Sequence, residues 1–282
     1  MTLAAALLRR CSFLHLLHYE EEIKSMYSFD HAYKKMCAAV LSPYGFTKYR
    51  KTFFRVINDV YQTITYERVG RAPYGRGVRV SFALNPLCEE KREPRYYFDG
   101  SIYYLRAFEA SSEWEIDRWY CSETKESIDA CVREIERFVT GYLLPLFESA
   151  DCCKNALPIL VDYEWQIYAI RQGQNKYQGP RKAEDLTGIY WPLDSAKYYM
   201  ALKIGDFDLA LRLRSLLLRQ NEISLEESRA RISPERYEIR RIDLQHLKDE
   251  IERLRIGDRA YFEKLLEDNE AYSRMIFQSR MR

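Results

Sequence analysis

The stretch TFFRVINDVYQTITYERV, residues 52–69, decides the fold. Two runs rich in β-branched and aromatic residues flank Asn58-Asp59, a pair that tolerates positive φ, so the spacing predicts strands Thr52–Ile57 and Val60–Val69 joined by a two-residue turn. That turn sets the register: Ile57 opposite Val60, Arg55 opposite Gln62, Phe53 opposite Ile64. Phe53, Ile57, Val60, Ile64 and Tyr66 then share one apolar face, with Arg55 and Gln62 facing each other inside it. A longer loop, slipping the pairing by one residue, would swap the faces. Three further strands follow, Val78–Leu84, Ser101–Phe108 and Trp114–Cys121. Val78, Val80, Phe82 and Leu84 alternate with Arg79, Ser81 and Ala83, giving one apolar and one wetter face. No connection is long enough for a crossover helix, so the five strands predict an antiparallel meander.

Helices flank this block. Ser28 is placed to cap a helix through Phe29, Ala32, Tyr33, Met36, Cys37 and Val40, ended by Ser42-Pro43 and turned by Gly45. Ser122 or Thr124 caps another, with the stripe Ile128, Cys131, Val132, Ile135, Phe138, Val139 and Tyr142. Two helices flanking a sheet are expected to cover its apolar face and leave the other to solvent.

Within these elements Phe29-Asp30-x-Ala32, Gly45-Phe46-x-Lys48, Thr52-Phe53-x-Arg55 and then Gln62 follow in order. The run resembles the bacterial family called domain of unknown function 4304, over about residues 27–150. The resemblance implies the same helix–meander–helix domain and a bacterial origin. It implies no activity and carries no catalytic residues.

Beyond Phe147 the strand signal stops. Asp151–Pro158 reads as a joint between an α+β domain, 26–150, and an all-helical domain, 151–282. Pro158 is placed to start a helix through Tyr163 and Trp165, and Gly173–Gly188 reads as a loop. Asp194 or Ser195 caps a helix ending at Gly205. Leu202-Lys203-Ile204-Gly205-Asp206 recurs 52 residues later as Leu254-Arg255-Ile256-Gly257-Asp258. Each copy joins a helix stop to a helix start, so two helical hairpins are expected, with Pro234 opening the long helix before Gly257. They resemble tetratricopeptide units locally, in Ala201 and Ala210 near the turn, but two copies do not make a solenoid. Residues 1–25 read as a leader. Glu20-Glu21-Glu22 can be encoded by purine-rich codons that resemble a bacterial ribosome-binding site before Met26, which makes Met26 the expected start.

Composition narrows the function. The 282 residues carry a formal charge of +2, and no apolar run is long enough to span a membrane. Seven cysteines, an odd number without a Cys-x-x-Cys pair, suit a reducing cytoplasm. There is no Gly-x-Ser-x-Gly, Walker loop or zinc-ligand spacing, so no catalytic residue, metal ligand or cofactor is assigned. His15 and His18 lack a third ligand, and Cys152-Cys153 reads more simply as a hinge than as a redox pair. Charge is asymmetric instead. Residues 47–79 hold eight basic residues against Asp59 and Glu67, a net +6, and residues 109–136 hold nine acids against three basic residues, a net −6. The halves either neutralise one another or present a basic surface, interleaved with Tyr44, Tyr49, Tyr61 and Tyr74, to an acidic partner.

The candidate binding residues are therefore Arg55, Gln62, Tyr66, Arg106, Arg71, Tyr74 and Arg76. Two arginines inside an apolar face need partners, and a ligand or partner carboxylate or phosphate would supply them. Three readings stay open: a non-catalytic protein-binding module of immunity or adaptor type; an enzyme or small-ligand protein with an Arg/Gln/Tyr-lined pocket under the sheet; and a nucleic-acid binder. The adjacent acidic block disfavours the last.

Overall fold

The computed structural model describes residues 28–72, 75–90, 100–101, 120–121, 124–174, 178–186 and 191–281. The expected leader, residues 1–25, lies outside them.

Helix α1 (Phe29–Leu41) starts where the Ser28 side chain accepts from the His31 amide (3.2 Å). It ends in a tight turn over Ser42–Tyr44, and Gly45 takes φ 80° to reverse the chain. The sheet follows as β1 (Thr47–Tyr49), β2 (Thr52–Ile57), β3 (Val60–Ala72) and β4 (Gly75–Pro86), antiparallel and in sequence order. The Asn58-Asp59 turn has two residues, with Asn58 at φ 47°. Phe53 lies opposite Ile64, Arg55 opposite Gln62 and Ile57 opposite Val60, the register expected from the sequence.

Three features of the sheet differ from expectation. β1 is an additional strand, too short to carry a periodicity. Much of Gly70–Gly77, expected as a loop, is strand, because β3 and β4 run on through a register shift between Val69 and Ala72. The described ends of the last two expected strands, β5 (Gly100–Ser101) and β6 (Tyr120–Cys121), both pair with β4. At its described end the fifth expected strand therefore lies beside β4 and not beside the fourth; most of both strands lies outside the described residues.

Helix α2 (Lys125–Phe138) opens on a reciprocal cap between Thr124 and Ser127 and buries Ile128, Cys131, Ile135 and Phe138. A wide turn over Val139–Leu143 leads into α3 (Leu144–Ser149). Next come α4 (Cys153–Arg171), α5 (Trp191–Lys203), α6 (Phe207–Ser228), α7 (Pro234–Arg255) and α8 (Arg259–Met281). Two starts are earlier than the sequence suggests. α4 already begins at Cys153, with Pro158 inside it, and α5 begins at Trp191 with Pro192 in its first turn, so Asp194 is helical and does not cap.

The apolar sheet face packs on α1, α3 and α4. Tyr33 meets Phe53 and Tyr66, and Phe82 meets Phe147 and Tyr163, with ring centroids 4.9–6.4 Å apart. Buried apolar residues from Phe29 to Leu266 form one contiguous cluster. The opposite face is not left to solvent. Phe54, Tyr61, Thr63, Thr65, Ser81 and Asn85 are buried, and the Phe277 ring of α8 packs tilted against Phe54 and Tyr61, with centroids 5.1 and 4.9 Å away. Tyr61, expected among the surface tyrosines, is thereby internal.

Candidate functional site

The hairpin register brings Arg55 and Gln62 together in the apolar face, and the structure supplies their partners from within the chain. Arg55 Nε donates to Gln62 Oε1 (2.6 Å), Nη1 donates to the Tyr44 carbonyl (3.0 Å), and Nη2 forms an ion pair with Glu148 Oε1 (2.6 Å). The guanidinium also lies 4.9 Å from the Phe46 ring centroid. Gln62 Nε2 donates to the carbonyls of Phe147 (2.7 Å) and Ala150 (3.1 Å), which end α3. Gln62 thus serves two carbonyls at the C-terminal end of α3, that of Phe147 also accepting from the Ala150 amide (3.3 Å). Tyr66 is buried and donates to Asp30 Oδ1, whose other oxygen pairs with Lys34 (2.5 Å).

The structure therefore unites Arg55 and Gln62 and places Tyr66 in a separate contact with α1. Arg106 and Tyr74 lie outside the described residues. Arg71 and Arg76 lie on β3 and β4, and their side chains also fall outside the described residues.

The hairpin turn binds the helices as well. Asp59 Oδ1 accepts from the Cys153 amide (2.8 Å) and so caps α4 from across the chain, while Asn58 Nδ2 donates to the Asp151 carbonyl (3.1 Å). Cys153 is buried, and its thiol is pushed up by the neighbouring Cys88 thiol and by burial. Cys153 is thereby held in the interior at the corner between α3 and α4.

A second polar cluster escaped the sequence reading. Lys197 on α5 is fully buried and donates to Glu164 Oε2 of α4 (2.5 Å) and to the Ala183 carbonyl (2.9 Å), with Asp194 Oδ1 at 3.1 Å. Burial pushes Glu164 up to about 7, Asp194 adds to the rise, and Lys197 opposes it. Glu164 Oε1 has no hydrogen-bond partner among the described residues. The signal available was Asp194 and Lys197 at i, i+3, but nothing local joins them to Glu164. A further network, Tyr198 Oη donating to Glu250 (2.7 Å) with Arg214 paired to the same carboxylate (2.9 Å), fastens α6 and α7 to α5.

Among the described residues no group of three or more His, Cys, Asp or Glu side chains is arranged to hold a metal, and no helix is long and apolar enough to cross a membrane. Comparison of the chain with protein-family models, curated proteins and solved structures returned no match.

Proposed function

We propose that this chain is a non-catalytic module of a bacterial cytoplasm that binds another protein through its outer surface, in the manner of an immunity or adaptor protein. The reading treats the likeness to domain of unknown function 4304 as one of fold. The observation that carries it is the engagement, within the chain, of the polar groups beneath the sheet. Arg55, Gln62 and Tyr66, the groups best suited to hold a ligand there, are spent on Glu148, on helix-end carbonyls and on Asp30. Aromatic side chains of α1, α3 and α4 pack against the described part of that face. A pocket needs convergent polar groups turned toward a ligand, and these are turned toward partners within the chain.

One observation favours the second reading, an enzyme or small-ligand protein. A buried carboxylate titrating near neutrality is a common mark of catalysis. Glu164 and Lys197 are closed to solvent, however, and serve equally as an internal tie between α4 and α5.

Affinity capture from the cells that make the protein, with intact-mass analysis of small molecules carried along, tests the proposal. Arg55→Met should lower stability by about 1–3 kcal/mol, since Gln62 and the Tyr44 carbonyl lose a donor. It should leave the captured protein partner unchanged. Loss of that partner at an unchanged folded fraction, or co-purification of a stoichiometric small molecule instead of a protein, would overturn it.

A further inference from the structure

The outer edge of β1 joins an open backbone to a concentrated positive charge. β1 ends the described sheet and pairs only with β2. Tyr49 and Thr52 close the two-residue Arg50-Lys51 turn, so they exchange the hydrogen bonds of that narrow pair. The next pair, Lys48 with Phe53, is then the wide one. Lys48 accordingly turns its N–H and C=O away from β2, toward the free edge. Phe53 agrees: alternation from the Ile57–Val60 pair puts its own hydrogen bonds on Ile64 of β3.

Cations gather at this edge. The Arg50 and Arg280 guanidinium carbons lie 5.3 and 5.2 Å from the Tyr49 ring centroid, and Lys51 Nζ lies 5.7 Å from that of Tyr66. Arg280 comes from the far end of the chain, carried here by α8. Lys48, Arg50 and Lys51 are exposed and have no carboxylate partner among the described residues. Asp30, close to Tyr66, is already engaged by Lys34 and by the Tyr66 hydroxyl.

We infer that the β1 edge is a docking site for an acidic, extended protein segment. The segment would add as a strand beside Lys48 and set its carboxylates against Lys48, Arg50 and Lys51. Both halves of the surface point to this occupant. The open N–H and C=O of Lys48 match a peptide backbone, which a nucleic acid lacks, and the cations match carboxylates. Lysine on an edge strand also deters pairing with a neutral or basic strand, so the same residue selects the partner. The inference rests on the binding-module reading above and narrows it to one surface.

Fluorescence anisotropy with a labelled peptide alternating Glu and Val tests it, against a Lys/Val peptide and a single-stranded oligodeoxynucleotide. The Glu/Val peptide should bind saturably and weaken with salt, and the Lys/Val peptide should not bind. The triple variant Lys48→Glu, Arg50→Glu, Lys51→Glu should lose at least about tenfold in affinity, as three reversed charges at one surface require. Lys48→Gln removes only a charge, whereas Lys48→Pro also removes the outward N–H without touching a β1–β2 hydrogen bond. Lys48→Pro should therefore bind about fivefold more weakly than Lys48→Gln, one net hydrogen bond's worth. Circular dichroism confirms that each variant is folded.

Equal affinity in the folded Pro and Gln variants would overturn strand addition. Absence of saturable peptide binding, or tighter binding of the oligonucleotide, would overturn the inference as a whole. If the triple variant still captures the same protein from cells, the edge is not the docking site, yet the binding-module reading survives. If no protein is captured by the wild-type chain, both fall.

Discussion

Glu164 sits in a buried environment that its neighbours in sequence do not suggest, and it makes a pH-dependent contribution to stability. Its folded pKa, about 7, lies above the ordinary carboxylate value of 4.5. The folded state therefore holds a proton that the unfolded chain gives up. Stability from this group is fully present below pH about 4.5, falls as the pH rises toward 7, and is flat beyond. The loss is on the order of 3 kcal/mol for a shift of this size. Denaturant midpoints measured from pH 4.5 to 7.5 should decline more steeply for the wild type than for Glu164→Gln, which cannot ionise. Parallel profiles would refute the assignment. Arg55 and Gln62 were legible from sequence where Glu164 was not. A two-residue turn fixes which side chains face each other across seven positions, whereas Glu164 and Lys197 meet across 33 positions and an intervening loop.

At the scale of elements, the helix-stop repeat behaves as the sequence predicts. Gly205 and Gly257 follow helix ends at φ 81° and 69°. The Asp206 amide donates to the Ala201 carbonyl (2.9 Å) and the Asp258 amide to that of Arg253 (3.0 Å), the backbone closure of a left-handed helix stop. Asp206 Oδ1 then accepts from Leu209 (2.9 Å), capping α6, and Asp258 Oδ1 accepts from Tyr261 (3.3 Å), capping α8. A Cβ at either glycine would meet nothing within 4 Å, so only the backbone angle resists substitution. Gly205→Val and Gly257→Val should each cost about 1–2 kcal/mol, visible as a drop of roughly 2–8 °C in Tm. The corresponding Asn variants should recover much of it; unchanged melting in both Val variants would remove the need for positive φ. The repeat does not make its two hairpins equal. α5 and α6 pack together, as do α6 and α7, while α7 and α8 make little close contact. α8 instead crosses to α5 and β1. Local chemistry dictates a stop and a start, but the angle between successive helices depends on what each buries. β1 was illegible for a related reason: three residues, one of them an exposed lysine, leave no alternation to read.

For the whole molecule, the decisive contact joins the C-terminal helix α8 to the β2–β3 hairpin. Thr52, Thr63, Thr65, Ser81 and Asn85 read as a solvent face, because alternation records polarity but not what a distant helix will cover. They are buried all the same, with Thr52 bonded to Thr65 (3.0 Å) and Asn85 to Tyr61 (2.8 Å). These two bonds satisfy four of the buried polar side chains within the face itself. α8 covers part of it. Asn269 Nδ2 donates to the Cys88 carbonyl (3.1 Å), Arg274 donates to the Asn58 carbonyl, and Glu270 pairs with Lys203 (2.6 Å) and Arg274 (2.7 Å). Phe277 supplies the apolar anchor on Phe54 and Tyr61, and Leu87 joins the same small cluster. The ion pairs of Glu270 are partly exposed and individually worth little, and the buried Asn269 bond contributes about one net hydrogen bond, so Phe277 should dominate the docking of α8. Phe277→Ala should lower unfolding stability by about 3–5 kcal/mol, as for other buried aromatic truncations. It should also abolish hydrogen-exchange protection in the last turns of α8 while that of α1 and α4 persists. A denaturant midpoint and an α8 protection pattern both equal to the wild type would mean that the second sheet face does not depend on the C-terminal helix.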